Sequence, residues 1–275
     1  MRAFTKEEQN EICNMYVKQG LTINFIRQKF HCRHEAIKNV LILNNISIKK
    51  GPVSKNRLLK EDFFENIDNE EKAYLLGLFF TDGNITLDSK RSPNIRLELK
   101  QSDIDLLIQI KDILNIGSKL IYSKRENKET VTIAFRSKKM AEDLAKFGIV
   151  PNKTYKTKNL PIVPNEYKKH FIRGLIDGDG SIYYSKGWKI DFCSYHKTIC
   201  EDFKNLINSF LGQEINTKIA NYGTAYHCRI NKKILVKQLA TVLYKDSKIS
   251  LARKYRLAMA ILEDKTDEDI VYSDL

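Results

Sequence analysis

The stretch FIRGLIDGDGSIYY at residues 171–184 brings two carboxylates, Asp177 and Asp179, together between glycines, directly after an apolar run. This local negative charge contrasts with the formal net charge of the whole chain, which is +13. Carboxylate oxygens are the ligands that hard divalent cations prefer. The plainer interpretation is that Asp and Gly here only cap a helix or form a turn. One stretch alone does not decide between a metal site and a turn.

A second stretch of the chain resembles the first. YLLGLFFTDGNI at residues 74–85 superposes on FIRGLIDGDGSI at residues 171–182, so that Asp82 aligns with Asp179. A strand-like run, an amphipathic helix, a pair of strands and another helix follow each copy. The same order of elements, αββαββα, therefore occurs twice along the chain. This repeat predicts an α+β fold built from two αββαββα subdomains.

With these two motif copies the chain resembles the LAGLIDADG family of homing endonucleases and their intron-maturase relatives, in the single-chain form that carries both motifs. The second copy, residues 172–180, departs from the family name chiefly at Arg173 and Gly178. The first copy, LLGLFFTDG at residues 75–83, has Phe80 where the first aspartate of the name would stand. The resemblance covers residues 66–265 and implies a pseudo-twofold pair of subdomains whose antiparallel sheets form a saddle.

The resemblance also implies a catalytic centre. Gly77 and Gly174 are expected to let two motif helices cross closely, so that Asp82 and Asp179 meet at the helix C-termini. Two ionised carboxylates at such a place need a cation, and Mg²⁺ or Mn²⁺ is the expected cofactor. A backbone metal ligand at position 81 is left unassigned. In the family, further polar and cationic residues of each half take part in catalysis. The matching residues in this chain are Gln101, His196, Lys138 and Lys232. The alternative is that these four are ordinary solvated side chains on the surface.

Double-stranded DNA is the partner that the resemblance implies, bound along the free faces of the two sheets. Because the two halves differ in sequence, the target site is expected to be long and imperfectly palindromic. Intron RNA is the alternative partner. The residues of the two halves expected to contact DNA are Arg96, Glu98, Lys100, Lys124, Arg125, Lys153, Lys186, Lys189 and Arg229.

Residues 1–48 have the pattern of a separate helical module. Thr5 and Glu8 have the spacing of a capping box, and Gly20 is the expected end of the first helix. Three short helices with a turn before the last predict a helix-turn-helix domain, similar to small bacterial and phage modules. A three-helix packing module is the alternative. The residues of this module expected to face DNA are Arg33, Lys38 and Asn39.

Composition and segment boundaries complete the prediction. The 275 residues, 42% of them hydrophobic, are enough for a substantial core. The five cysteines form no CxxC pair, which argues against a zinc ribbon or a disulfide framework. The chain carries no signal-like or membrane-spanning run, so a cytoplasmic or organelle-interior protein without a membrane partner is expected. The expected segments are a helix-turn-helix domain at 1–48, a basic linker at 49–65, subdomains at 66–158 and 159–265, and an acidic tail at 266–275.

The sequence therefore predicts a monomeric, site-specific homing endonuclease that hydrolyses one phosphodiester in each DNA strand with a divalent metal, encoded by a phage or another mobile element and used in intron homing. The alternative is an intron RNA maturase or a DNA-binding regulator of the same fold without cleavage. The presence of both Asp82 and Asp179 favours cleavage, because a protein that only binds nucleic acid gains nothing from two clustered acids.

Overall fold

The structure, a computed structural model, describes residues 4–17, 23–30, 32–48, 58–125, 128–266 and 269. The chain forms two compact units, one of residues 1–59 with 115–118 and one of residues 60–114 with 119–275. The predicted helix end at Gly20, most of the basic linker and most of the acidic tail lie outside the described residues. Within those residues, no helix is both long and apolar enough to cross a bilayer.

The described residues of the first unit form three helices. They are α1 (Lys6–Val17), α2 (Ile23–Lys29) and α3 (His34–Leu43). The capping box is confirmed, because the Thr5 amide donates to Glu8 Oε2 at 3.0 Å and the Glu8 amide donates to Thr5 Oγ1 at 3.2 Å. The apolar faces of the helices meet in a small core around Ile12, Ile26 and Ile37, which are fully buried. A helical N-terminal module is therefore present, and its contact with DNA stays a prediction.

The first half of the second unit begins with a helix whose start is well capped. The Asn69 side chain accepts from the Lys72 amide at 2.9 Å, and Glu70 and Glu71 lie in the first turn, where the helix dipole favours acids. The elements of this half are α4 (Glu70–Asp82), β1 (Gly83–Asp88), β2 (Arg91–Lys100), α5 (Ile104–Leu114), β3 (Ile121–Arg125), β4 (Lys128–Arg136), α6 (Lys138–Lys146) and α7 (Lys153–Lys156).

The second half repeats this order. Its elements are α8 (Lys168–Asp179), β5 (Gly180–Tyr184), β6 (Trp188–Ser194), α9 (Lys197–Leu211), β7 (Ile219–Tyr222), β8 (Ala225–Ile230), α10 (Lys233–Tyr244) and α11 (Ala252–Leu262). The strands lie in the orders β1-β2-β4-β3 and β5-β6-β8-β7, and all pairs are antiparallel. The predicted fold of two αββαββα subdomains is confirmed. The helices α7 and α11 are additions that the repeat pattern did not predict.

Each sheet has one apolar face covered by helices. In β2, Ile95, Leu97 and Leu99 are buried, and the residues between them are exposed and polar or charged. In the second half, Phe192 of β6 stacks on Phe203 of α9 with ring centroids 4.3 Å apart. The alternation follows from the two-residue period of a strand, which sends successive side chains to opposite faces. The polar faces are therefore available for a charged partner.

The motif helices α4 and α8 cross with their backbones in contact. A Cβ atom at Gly77 would lie 2.5 Å from the Phe171 carbonyl oxygen, and a Cβ atom at Gly174 would lie 2.2 Å from the Tyr74 carbonyl oxygen. No side chain fits in either place without moving a helix. This close crossing, expected from the two motif glycines, fixes where the C-terminal ends of both helices lie.

Candidate active site

The crossing brings Asp82 and Asp179 into one electrostatic environment. Each is the last residue of its motif helix. Burial, followed by the negative charge of Asp179, raises the pKa of Asp82 to about 7. Burial also raises the pKa of Asp179. The dipoles of helix C-termini add to the cost of negative charge here. Both acids are therefore costly to ionise unless a cation is nearby.

Two cavities flank the acids, and each is built from both halves of the unit. The Asp82 cavity, of about 170 Å³, contains Asp82, the end of β2 and, from the second half, Gly178, Leu251 and Arg253. The Asp179 cavity, of about 70 Å³, contains Asp179, the end of β6 and, from the first half, Thr81 and Lys153. The acid and the strand end thus come from one half, while the opposite wall comes from the other half.

Two lysines hold the helix ends that carry the acids. Lys153 Nζ donates to the Thr81 carbonyl oxygen at 2.7 Å. Lys254 Nζ donates to the carbonyl oxygens of Ile176, Asp177 and Gly180, at 2.5, 2.7 and 2.7 Å. Burial lowers the pKa of Lys153, and it lowers the pKa of Lys254 to about 8. These cations oppose the partial negative charge of the helix ends.

Lys153 is a residue that the sequence nominated, although only for DNA contact, whereas Lys254 was missed. Lys254 lies in α11, outside the repeated pattern, and follows its α8 partners by more than seventy residues. Lys153 follows Asp82 by 71 residues and Lys254 follows Asp179 by 75, and this similar spacing is the signal that could have found Lys254.

The buried Asp177, which also lines the Asp82 cavity, holds several elements of the unit together. Its carboxylate accepts from Tyr74 Oη at 2.9 Å, from Tyr244 Oη at 2.7 Å and from the Leu251 amide at 2.7 Å. Burial raises its pKa. The three hydrogen bonds join α8 to α4, to α10 and to the residue before α11. In the first half, the apolar Phe80 stands at the matching position.

The departure of the second motif at Arg173 is explained by partners within the same unit. The buried Arg173 guanidinium donates through Nε to Ile249 O and through Nη1 to Leu243 O, both at 2.9 Å. It also lies over the ring of Tyr74, 5.2 Å from the centroid. A buried charge needs such partners. Arg173 therefore fixes the segment between α10 and α11.

The departure at Gly178 is explained by a side chain of the first motif. A Cβ atom at Gly178 would lie 1.8 Å from Thr81 Oγ1 and 2.9 Å from Asp82 Oδ2. Thr81 Oγ1 donates to the Leu78 carbonyl oxygen at 2.9 Å. The alanine of the family name therefore does not fit at residue 178 next to Thr81 as the latter is placed.

The four other catalytic candidates do not line either cavity within the described residues. Gln101 is exposed at the start of a short 3-10 helix, and His196 is the N-cap of α9, with a buried Nε2 that no described group partners. Lys138 is exposed at the start of α6, 3.7 Å from Glu142, and Lys232 is exposed before α10. Their catalytic roles stay predictions without geometric support.

The residues nominated for DNA contact fall into several settings. Lys100 lines the Asp82 cavity and Lys153 the Asp179 cavity. Arg229 is held by Asp191 at 2.9 Å, and Lys124 by Glu129 at 2.5 Å. The others lie on strands, turns or α3: Arg96 and Glu98 on β2, Arg125 on β3, Lys186 in the turn before β6, Lys189 on β6, Arg33 before α3, and Lys38 and Asn39 in α3.

Two carboxylates alone form an incomplete metal site. Among the described residues, no group of three or more His, Cys, Asp and Glu side chains could hold a metal ion. The donor set of Asp82 and Asp179 consists of hard oxygens, and both acids are destabilised by burial, which a divalent cation would relieve. The residues present thus fit such a cation if substrate and water supply its remaining ligands.

Comparison with known proteins places these features in a family. The sequence model of the LAGLIDADG-like domain matches residues 69–147 and 166–243. An uncharacterised protein of Methanocaldococcus jannaschii is 27% identical over 202 residues, covering 72% of this chain and 71% of the relative. The meganuclease I-AabMI bound to uncleaved DNA is 12% identical, with a TM-score of 0.48 over 72% of this chain and 90% of that chain.

The N-terminal LAGLIDADG domain of WhiA is 15% identical, with a TM-score of 0.47 over 76% of this chain and 98% of that chain. The two matched regions of the family model together span more than half of the chain and contain both motif helices. The chain therefore belongs to the LAGLIDADG-like domain family, with both copies of the motif in one polypeptide.

Proposed function

We propose that the chain is a site-specific endonuclease that hydrolyses both strands of duplex DNA with a divalent metal, Mg²⁺ or Mn²⁺. The observation that carries this proposal is the pair of buried acids, Asp82 and Asp179, each opening into a cavity that also contains cationic side chains. A protein that only binds DNA would gain stability by replacing these acids, because both are destabilised where they lie.

The residues of the chain divide the work between binding and catalysis. Asp82 and Asp179 would hold the metal, which when bound polarises the scissile phosphate and supplies hydroxide near neutral pH. Lys153 presents an ammonium group beside Asp179, where it attracts a phosphate. The polar faces of the two sheets would follow the major groove, with Arg96 and Arg229 as donors to bases and phosphates. The N-terminal module would add contacts beside the target.

A cleavage selection tests the proposal directly. Purified protein with Mg²⁺ is incubated with the DNA that flanks its gene, in an allele without the insertion, and with a randomised duplex library. We expect double-strand cuts at one long site. Asp82→Asn and Asp179→Asn should each abolish double-strand cutting while DNA affinity is kept, and the exposed Asp105→Asn serves as the matched control.

Two results would contradict cleavage. Selective binding of duplex DNA without any cut would favour a regulator, and selective binding of intron RNA over duplex DNA would favour a maturase. Double-strand cutting by both acid variants would refute the assignment of Asp82 and Asp179.

A further inference from the structure

The ammonium group of Lys254 has no hydrogen left for a substrate. A lysine ammonium has three N–H donors, and the carbonyl oxygens of Ile176, Asp177 and Gly180 lie within hydrogen-bonding distance of Nζ. The residue is also only 2% exposed. Lys254 therefore serves the end of α8, and a phosphate entering the Asp82 cavity must find another cation among Arg253, Lys100 and Lys128, which line this cavity.

Of these three, Arg253, the residue before Lys254, is held by a buried carboxylate and keeps free donors, whereas Lys100 and Lys128 are exposed lysines at strand ends. Its side chain is 28% exposed and lines the Asp82 cavity. Its Nε donates to Asp103 Oδ2 at 3.3 Å, and the Asp103 side chain is 5% exposed. Within the described part of the chain, Nη1 and Nη2 of Arg253 make no hydrogen bond, and these two groups match the spacing of two phosphate oxygens.

Asp103 comes from the opposite half and sets the position of Arg253. It ends the short 3-10 helix that follows β2, whereas Arg253 lies in α11. A buried carboxylate bound to one edge of a guanidinium restricts its rotation and leaves the other edge for a ligand. The Asp103–Arg253 pair thus joins the two halves at the wall of the Asp82 cavity.

The matching place in the Asp179 cavity has different residues. Leu97 pairs with Gly83 and Phe192 pairs with Gly180, so Leu97 and Phe192 are equivalent positions in the two sheets. Asp103 and Thr198 each follow by six residues, and Thr198 is therefore the equivalent of Asp103. Thr198 Oγ1 donates to the Lys158 carbonyl oxygen. Asn152 precedes Lys153 as Arg253 precedes Lys254. The accessible cation of that cavity is Lys153, whose Nζ donates to a single described carbonyl oxygen.

We propose that Arg253, positioned by Asp103, binds the scissile phosphate in the Asp82 cavity, and that Lys153 does so in the Asp179 cavity. The inference rests on the proposed nuclease function. Each cavity serves one DNA strand, so the two strands depend on different cations. Arg253 is a catalytic residue, Asp103 is a positioning residue, and Lys254 is a structural residue.

Strand-resolved cleavage tests this assignment. A duplex with the selected target, labelled at a different end on each strand, is cut with Mg²⁺, and a supercoiled plasmid with the same site reports nicking. Arg253→Met should slow one strand about 100-fold, the cost typical of losing a donor to transition-state charge. Nicked plasmid should accumulate. Lys153→Met should slow the opposite strand, and Arg253→Lys should recover part of the lost rate.

Matched variants separate the roles. The exposed Arg256→Met, on the same helix, should cut both strands at the wild-type rate. Asp103→Asn should slow the same strand as Arg253→Met and should add no further loss in the Arg253→Met background, because it acts through that residue. Lys254→Met should lower the melting temperature. Its effect on cleavage should not favour one strand.

The outcomes are distinguishable. If Arg253→Met slows the cleavage of neither strand, or slows both strands equally, the assignment of Arg253 is overturned. A folded Lys254→Met variant that nicks one strand selectively, while Arg253→Met cuts normally, assigns the phosphate to Lys254 instead. Additive losses from Asp103→Asn and Arg253→Met overturn the positioning role. A wild-type protein that cuts neither strand overturns the proposed function together with this inference.

Discussion

Replacing Asp82 by asparagine should stabilise the metal-free protein at neutral pH and above. Burial, and then the charge of Asp179, raises the pKa of Asp82 from 3.8 to about 7 in the folded state. In the unfolded chain the same carboxyl group ionises near its ordinary pKa. The free energy of unfolding therefore receives the full favourable contribution of protonated Asp82 only below about pH 3.8. The contribution falls as pH rises and is lost above pH 7.

The size of the effect follows from the shift in pKa. A difference of about three units at about 1.4 kcal/mol per unit is on the order of 4 kcal/mol. The asparagine of the variant carries no titrating charge, so the variant's free energy of unfolding should gain up to this amount relative to wild type between pH 4 and pH 8. Such a gain is a large fraction of the stability of an ordinary domain.

Urea denaturation in EDTA, at several pH values from 4 to 8, measures this difference. Asp88→Asn is the control, because Asp88 is outside the site and the backbone amide of Lys90 is the main cause that lowers its pKa. Adding Mg²⁺ should stabilise the wild type more than Asp82→Asn at pH 8. Parallel stability curves for wild type and Asp82→Asn across this range would refute the electrostatic reasoning about the acid pair.

Three further variants test the scaffold. Gly174→Ala should destabilise the fold by about 3 kcal/mol in urea denaturation, because its Cβ atom would lie 2.2 Å from the Tyr74 carbonyl oxygen; unchanged stability would contradict the close helix crossing. Tyr244→Phe should lower the free energy of unfolding by about 2 kcal/mol, because it removes the 2.7 Å hydrogen bond to Asp177. Tyr255→Phe is the control, and an equal loss of stability in both variants would contradict this role of Tyr244. Deleting residues 1–48 should weaken DNA binding in a titration and leave cleavage intact, and unchanged affinity and selectivity would argue against an accessory role.

The repeated architecture could be predicted because its signals are local and occur twice. The glycines of the motif helices, the alternation in β2 and the amphipathic pattern of α9 each lie within a short window of sequence. The pairing of Gly77 with Gly174 followed from the same repeat. These features needed no knowledge of contacts between distant residues, apart from the crossing that the resemblance implied.

The walls of the cavities could not be predicted in this way. Lys254 and Arg253 lie in α11, which has no full counterpart in the first half, and Arg253 meets Asp103 only through a contact across 150 positions. The family resemblance pointed to Lys138 and Lys232 instead, which lie on the surface at the start of α6 and before α10. Sequence spacing identifies equivalent positions, whereas the tertiary structure decides which cation reaches the acids.

The mixed origin of both cavities limits how this chain could be divided or evolve. Since Asp82 faces a wall that contains Arg253, and Asp179 faces a wall that contains Lys153, an isolated half would possess neither complete cavity. Both cavities are complete only when two halves pack together, so a single copy of the repeat would need to self-associate to form them. A change in either half can therefore alter both cavities, so each motif diverges under the constraint of its twin.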